Sequence, residues 1–233
     1  MSKKHEFRKV IDLLSFVSPY CLALWFEKDQ HVCASASAGA AQALRMLGVD
    51  AQPIFVSAIA GNEDVFESRA FVSLGHNKES SLPVVRKYFG VIPTLDSTHV
   101  TLDGGHEISE ATRAYPFHVA VRVRHGAAVW LLDLTVGQIN GNTFGIQLPG
   151  SLYMEGEWPA YRFDNGMWIF YDKPPYPDKL DPKILQCEFN GLAEDLRDSL
   201  LLAMRLGPEQ AKLVLEQVLP QAFADKRALA RKL

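Results

Sequence analysis

Residues 117–134 read FHVAVRVRHGAAVWLLDL, and this stretch decides the fold. Two runs rich in β-branched and aromatic residues, 117–123 and 128–134, flank a short polar segment at Arg124-His125-Gly126. Runs of this composition on either side of a glycine-containing turn are typical of an antiparallel hairpin. The stretch therefore predicts two adjacent strands joined by that turn.

Further strands are predicted on both sides of this hairpin. Residues 52–59 and 71–74 are short runs of residues that favour strands, and Gly61-Asn62 is expected to end the first of them. Residues 161–171 contain the pair Asn165-Gly166 between two aromatic runs, which is a strong signal of a second hairpin. The middle of the chain is therefore expected to form a mainly antiparallel sheet.

Helical patterns occupy the two ends of the chain. Residues 5–18 and 191–233 carry apolar residues at helical spacing, and residues 33–47 are rich in alanine, which favours a helix. The residues expected to end or break these helices are Pro19, Gly48, Gly207-Pro208 and Pro220.

The order of elements is helices, then mainly antiparallel strands, then helices, which is the order of an α+β protein. The length of 233 residues suits one large domain or two small ones, and it allows a sizeable core. We expect residues 1–190 to form the main domain, and residues 191–233 to form a C-terminal helical extension packed on it.

Charge and hydropathy disfavour several classes of protein. With 24 Lys and Arg against 27 Asp and Glu, the net charge is -3, so we expect no nucleic-acid partner. No apolar run reaches the roughly 18–20 residues that cross a membrane, and no signal-peptide pattern follows the basic N-terminus. We therefore expect a soluble cytoplasmic protein without a membrane partner, and the oligomeric state stays open.

The chain has three cysteines, Cys21, Cys33 and Cys187. An odd, sparse set without a C-x-x-C pair is typical of a reducing compartment and disfavours a zinc-thiolate site. Cys21 lies among apolar residues and Cys187 has no supporting chemistry near it in the sequence, so both are interpreted as ordinary buried thiols.

Three histidines offer a metal-binding alternative. Catalytic zinc takes three protein ligands, and His99, His106 and His118 could supply them. Their spacing matches no tight zinc motif. We therefore expect no metal and no cofactor.

Cys33 differs from the other cysteines because it stands at the predicted start of the alanine-rich helix. A thiol at a helix N-terminus is exposed to the positive end of the helix dipole, which stabilises the nucleophilic thiolate. The N–H groups of the first helical turn have no partner inside the helix, so they could also bind the oxyanion of a tetrahedral intermediate. The sequence therefore makes Cys33 a candidate nucleophile.

A nucleophilic thiol needs a proton carrier, and the carrier needs an orienting group. His118 opens the first strand of the central hairpin and Asp133 lies near the end of the second, so we expect them roughly opposite each other. A carboxylate in that position can accept a hydrogen bond from one imidazole nitrogen and leave the other nitrogen for the sulfur.

These motifs together resemble the transglutaminase-like branch of the papain-like cysteine enzymes. The resemblance is carried by a cysteine that starts a small-residue helix ending in Leu-Gly, a following strand, His-x-x-x-x-Val and Trp-x-x-Asp-x-Thr. The matching ranges are 33–48, 53–57 and 118–135. The branch includes transglutaminases, transglutaminase-like bacterial proteases, arylamine N-acetyltransferases and several bacterial toxin or effector domains.

The resemblance implies a cysteine helix packed on an antiparallel sheet and a Cys–His–Asp triad. It assigns Cys33 as the nucleophile, His118 as the general base and acid, and Asp133 as the residue that orients the imidazole. The implied activity is that of a thiol hydrolase or acyltransferase: a peptidase (thiol protease), a deamidase or a transglutaminase-like enzyme that forms a covalent acyl-enzyme. Its substrate would be a protein or peptide, or a small amide or thioester.

Two other readings stay open. Residues 62–115 and 140–233 have no recognised counterpart in that branch, and such extensions often bind partners. The chain could accordingly be a non-catalytic binding or interaction module on the same fold. A structural protein in an assembly is the third reading.

Overall fold

The computed structural model of the chain describes residues 3–26, 32–62, 70–74, 98–103, 106–107, 118–141, 146–174, 180–186 and 188–217. These residues form four α-helices and nine strands, so the chain is a mixed α+β protein, as predicted. The predictions for Cys187 and for the helical segment after residue 217 lie outside the described residues.

The helices are α1 (Lys3–Trp25), α2 (Cys33–Met46), α3 (Asn190–Leu206) and α4 (Pro208–Gln217). The strands are β1 (Asp50–Asn62), β2 (Ala70–Leu74), β3 (Thr98–Asp103), β4 (His106–Glu107), β5 (His118–His125), β6 (Ala128–Asp133), β7 (Leu152–Glu155), β8 (Ala160–Arg162) and β9 (Met167–Asp172). Short 3-10 helices cover Val136–Gly141 and Pro182–Gln186.

The long strand β1 organises the sheet. Its first part pairs antiparallel with β5, ending where Val56 lies opposite His118. Its second part pairs antiparallel with β9, beginning where Ser57 lies opposite Asp172, and also with β2. The other antiparallel pairs are β5 with β6, β6 with β7, β3 with β4 and β8 with β9, whereas β2 and β3 are parallel. The sheet is mainly antiparallel, as predicted. The start of β5 and the end of β9 pair with neighbouring residues of β1, Val56 and Ser57.

Helix α1 runs through Pro19, so the prediction that this proline ends the helix is wrong. A proline inside a helix lacks the N–H that would bond the carbonyl four residues earlier. Here that carbonyl belongs to Ser15, and it accepts hydrogen bonds from Ser18 Oγ at 3.3 Å and from Ser151 Oγ at 3.0 Å. Because side chains replace the missing donor, the helix continues to Trp25.

Helix α2 has the predicted boundaries to within a residue or two. Its start is Cys33, and it ends at Met46, just before Gly48. Gly48 has φ +79°, a conformation that glycine adopts without a steric penalty. The N–H groups of Gly48 and Val49 bond the carbonyls of Arg45 and Leu44, which is the pattern of a Schellman C-cap.

Two apolar clusters lie on opposite faces of the β5–β6 hairpin. Successive side chains of a strand point to opposite faces, so alternate residues enter different clusters. Val121 packs with apolar residues of all four helices in the first cluster, whereas Ala120 and Leu131 belong to the second cluster, with residues of β1 and β9. By this alternation, His118 and Asp133 share the face of the second cluster.

Helices α3 and α4 belong to the first cluster, together with α1 and α2. The predicted break at Gly207 is confirmed. Helices α2 and α3 approach closely at Gly39, where an added Cβ would lie 2.7 Å from the side chain of Leu192. The division of the chain at residue 190 stays a prediction. Across the described ranges, the model contains no helix with the length and hydropathy that a membrane crossing requires.

Candidate functional site

The central hairpin forms as predicted, with a turn that differs slightly from the expected one. His125 pairs with Ala128, so the turn consists of the two residues between them, not of Arg124-His125-Gly126. Gly126 has φ +62°, and a two-residue turn needs such a left-handed conformation. Shortening the turn shifts the register of the two strands relative to the predicted one.

His118 and Asp133 meet across this hairpin. Continuing the register places Asp133 opposite Ala120, one diagonal step from His118, and diagonal neighbours are within reach of long side chains. The Nε2 atom of His118 lies 2.7 Å from Oδ2 of Asp133. Each residue is only 1% exposed, so the pair is buried in the protein.

Asp133 is held by three further hydrogen bonds. Its Oδ1 accepts from the backbone N–H of Thr135 at 2.9 Å and, at 3.4 Å, from the Thr135 hydroxyl. Its Oδ2 accepts from the hydroxyl of Tyr171 at 2.8 Å. Burial alone would raise the pKa of Asp133, but the charge of His118 and these donors hold that pKa below its ordinary value. The carboxyl group is therefore ionised at neutral pH.

The imidazole ring of His118 responds to the same contacts. Burial is the largest influence and would lower its pKa. The charge and hydrogen bond of Asp133, followed by those of Cys33, outweigh burial and raise the pKa of His118 to about 10. The ring is thus protonated near neutral pH, and its Nε2–H donates to Asp133.

Cys33 is the first residue of α2, and its thiol lies beside the His118 ring. The thiol lies close enough to the ring to raise the pKa of His118. Since Nε2 is held by Asp133, the nitrogen left for the sulfur is Nδ1. The distance of 2.7 Å between Nε2 and Oδ2 of Asp133 is that of a fully formed hydrogen bond. Cys33 is 8% exposed, so the sulfur lies just below the surface.

Local contacts position the start of α2 against the strand that carries His118. The hydroxyl of Ser37, one turn into the helix, donates to the carbonyl of Val119 at 2.9 Å. At the helix start itself, no described side chain caps the first turn after Val32. Within the described residues, the N–H groups of that turn thus have no side-chain acceptor.

Tyr171 is part of this cluster, and the sequence analysis did not identify it. The sequence does carry a signal for it, because a tyrosine in a buried strand position needs a partner for its hydroxyl. Burial raises the pKa of Tyr171 well above its ordinary range, and the negative charge of Asp133 raises it further. The hydroxyl is therefore a permanent donor to the carboxylate.

Cys21 lies in a second buried polar cluster, between α1 and α3. Its thiol donates to Ser199 Oγ at 3.3 Å and lies 3.9 Å from the carbonyl oxygen of Asp195. The carboxylate of Asp195 accepts from Trp25 Nε1 at 2.9 Å. Burial raises the pKa of Cys21 to about 11. Cys21 is thus a buried thiol, as predicted.

The zinc alternative receives no support from the described part of the chain. The side chains of His99 and His106 lie outside the described ones, and His118 is bound to Asp133. The side chains that are described contain no group of three or more potential metal ligands.

The fold is thus α+β, and its candidate site brings a cysteine, a histidine and an aspartate together. No family model, no curated protein and no solved structure matches the chain.

Proposed function

We propose that this chain is a cysteine-dependent acyl-transfer enzyme of the transglutaminase-like, papain-like kind. The observation that carries the proposal is the arrangement around His118. One nitrogen of the ring is held by Asp133 at 2.7 Å, and the Cys33 thiol at the start of α2 lies close enough to raise the pKa of the same ring. Nucleophile, proton carrier and orienting acid are the three parts that acyl transfer through a thiol requires.

In the first half of the proposed reaction, the Cys33 thiolate attacks the carbonyl carbon of an amide or thioester. The carbonyl oxygen becomes an oxyanion, which the uncapped N–H groups of the first turn of α2 stabilise. The protonated His118 then gives its Nδ1 proton to the leaving amine or thiol. The bond to the leaving group breaks, and a thioester to Cys33 remains.

In the second half, water or an amine attacks the thioester, and His118 accepts the proton of the attacking group. The bond to sulfur breaks, which releases an acid or a new amide and restores the thiolate. Asp133 keeps the ring oriented in both halves because its own carboxylate is held by Thr135 and Tyr171. Water as acceptor makes the enzyme a hydrolase, and an amine makes it an acyltransferase.

A non-catalytic binding module on the same fold is the second candidate. The low exposure of Cys33 favours it, because a substrate carbonyl has little room to approach the sulfur. An acyl-enzyme test separates the two functions. After incubation with a simple aryl ester of acetic acid, an enzyme carries an acetyl group on Cys33, and a binding module carries none.

The direct test of the site is alkylation by iodoacetamide at pH 6.5, followed residue by residue with mass spectrometry. A thiol whose pKa is raised from 9.0 to about 11 has roughly 100-fold less thiolate than an ordinary cysteine. We therefore expect Cys33 to react at least about a hundredfold faster than Cys21, and also faster than Cys187. Equal, slow reaction of all three cysteines would falsify the proposal.

A pair of histidine variants controls for indirect effects. His118→Asn should slow the alkylation of Cys33 by about a hundredfold or more, because the cation beside the sulfur is lost. His125 lies on the same strand, where its ring stacks on Phe7 at 4.4 Å, so His125→Asn should leave the rate unchanged. If both variants behave alike, His118 has no particular role at the thiol.

A further inference from the structure

Two donors share one carboxylate oxygen in the candidate site. The hydroxyl of Tyr171 lies 2.8 Å from Oδ2 of Asp133, and Nε2 of His118 lies 2.7 Å from the same atom. The other oxygen, Oδ1, already accepts from Thr135. Tyr171 therefore has no separate acceptor on this carboxylate, and it draws on the same negative charge that holds the imidazolium.

The position of the Tyr171 ring is fixed by the fold. Tyr171 is fully buried in β9, opposite Ala58 of β1, and its backbone N–H donates to the carbonyl of Pro159 at 3.0 Å. The hydroxyl thus reaches Asp133 from a part of the sheet that is separate from the β5–β6 hairpin.

We infer that Tyr171 is a positioning residue that acts on His118 through Asp133. Its hydroxyl shares Oδ2 with the ring, and it thereby withdraws part of the carboxylate charge from the imidazolium. Removing the hydroxyl should leave the whole charge of Oδ2 to the ring, which strengthens the bond from His118 Nε2. The role of this bond in a reaction depends on the proposed function, whereas the coupling itself does not.

The groups that act on the pair are few within the described residues. His118 on β5 is acted on by Asp133 and by Cys33 on α2. Asp133 on β6 is acted on by His118, Thr135 and Tyr171. A change at Tyr171 therefore reaches the ring by way of the carboxylate.

The test is nuclear magnetic resonance of the full chain with isotope-labelled histidine, comparing the natural protein with Tyr171→Phe. We expect the Nε2–H proton signal of His118 to move downfield in the variant, because the hydrogen bond to Asp133 becomes stronger. In acid, the same signal should be lost at a pH about one unit higher, because Asp133 has lost a donor that favours its ionised form. A merely structural role of Tyr171 would lower stability and move neither readout.

The control is Tyr153→Phe, because the hydroxyl of Tyr153 also donates to an aspartate, Asp12, but at a site away from His118. This variant should leave both readouts unchanged. Equal behaviour of the two variants overturns the inference. If Tyr171→Phe fails to fold, the natural protein decides, because the hydroxyl proton of Tyr171 and the Nε2 proton of His118 must then show a mutual Overhauser contact. If the signals of both protons are observed and show no Overhauser contact, the inference is overturned as well.

Failure of this inference is distinct from failure of the proposed function. Slow alkylation of Cys33 in the natural protein contradicts the proposed enzyme and leaves the coupling of Tyr171 to His118 intact. An unchanged His118 signal in Tyr171→Phe contradicts the coupling and leaves the reactivity of Cys33 intact.

Discussion

Cys33 and Cys21 are both buried thiols in polar clusters, and the two clusters differ in the partner that faces the sulfur. Cys33 lies beside the imidazole ring of His118, which carries a proton near neutral pH. Cys21 faces the hydroxyl of Ser199 and a backbone carbonyl, and neither group can carry a positive charge. Burial raises the pKa of the Cys21 thiol, and that thiol has no cation among these partners to favour its ionised form.

The two clusters also differ in how their carboxylates are held. Asp133 receives four hydrogen bonds, from His118, Tyr171 and the backbone and side chain of Thr135. Asp195 accepts from the indole N–H of Trp25 at 2.9 Å. The Asp133 cluster thus contains a charged pair with His118, whereas the Cys21 cluster joins α1 to α3.

The largest expected effect comes from replacing each acid by its amide. In Asp133→Asn, one carboxylate oxygen becomes an amide NH₂, which then faces hydrogen-bond donors instead of accepting from them. The His118 cation also loses its counter-charge. We expect the free energy of unfolding to fall by about 3–5 kcal/mol. In Asp195→Asn, the side chain keeps an oxygen for Trp25, so the loss should be about 1 kcal/mol.

Urea unfolding at pH 6.5 measures both variants. Iodoacetamide labelling of the same samples adds a second comparison, because only the change at Asp133 should slow the alkylation of Cys33. Similar losses of stability in the two variants would remove the distinction between the clusters.

The next effect is the pH dependence of stability. The pKa of His118 is raised from its ordinary 6.5 to about 10, so its contribution is complete below pH 6.5 and is lost as the pH rises through 10. The pKa of Asp133 is lowered from 3.8, so its contribution is present above pH 3.8 and is lost as the pH falls below that. We therefore expect the free energy of unfolding to be greatest between pH 3.8 and pH 6.5. It should decrease by a few kcal/mol between pH 6.5 and 10.

A series of urea unfolding curves from pH 4 to 10 measures this profile. His118→Asn should flatten the alkaline decrease, whereas His125→Asn should retain it. Parallel profiles for the natural protein and His118→Asn above pH 6.5 would show that the ring is not the source of the decrease.

The smallest effect is expected at the other cluster. Ser199→Ala removes the acceptor of the Cys21 thiol, which should lower the free energy of unfolding by about 1 kcal/mol. The Ser199 hydroxyl can also donate to the ionised sulfur, which opposes the effect of burial. In its absence the pKa of Cys21 should rise further, and its alkylation should become still slower. Thermal unfolding and residue-resolved labelling measure both quantities. Faster alkylation of Cys33 in this variant would mean that the two clusters are coupled.

Much of the fold could be predicted from the sequence. The central hairpin, the Asn165-Gly166 hairpin, the alanine-rich helix and its end at Gly48 all depend on local patterns. Composition, turn residues and periodicity act over a few neighbouring residues, so the chain itself displays them. The same local signals mark Cys33, His118 and Asp133 as candidates, because each stands at the end of a recognisable element.

Other features depend on residues that are distant in the sequence. Helix α1 continues through Pro19 because the hydroxyl of Ser151 donates a hydrogen bond to the carbonyl of Ser15. No sequence pattern near Pro19 predicts this distant partner. The turn of the central hairpin also lies further along the chain than the sequence predicted. The reason is that the register of the two strands is the one that buries their alternate faces.

The sequence by itself determined which elements form, and which side chains stand at their ends. Only the tertiary structure decided that Tyr171 donates to the oxygen that holds His118, and that the Cys33 thiol faces a cation while the Cys21 thiol does not. The physical reason is that secondary structure follows from interactions between near neighbours. The charge state of a buried group depends instead on what the whole fold places within a few ångströms of it.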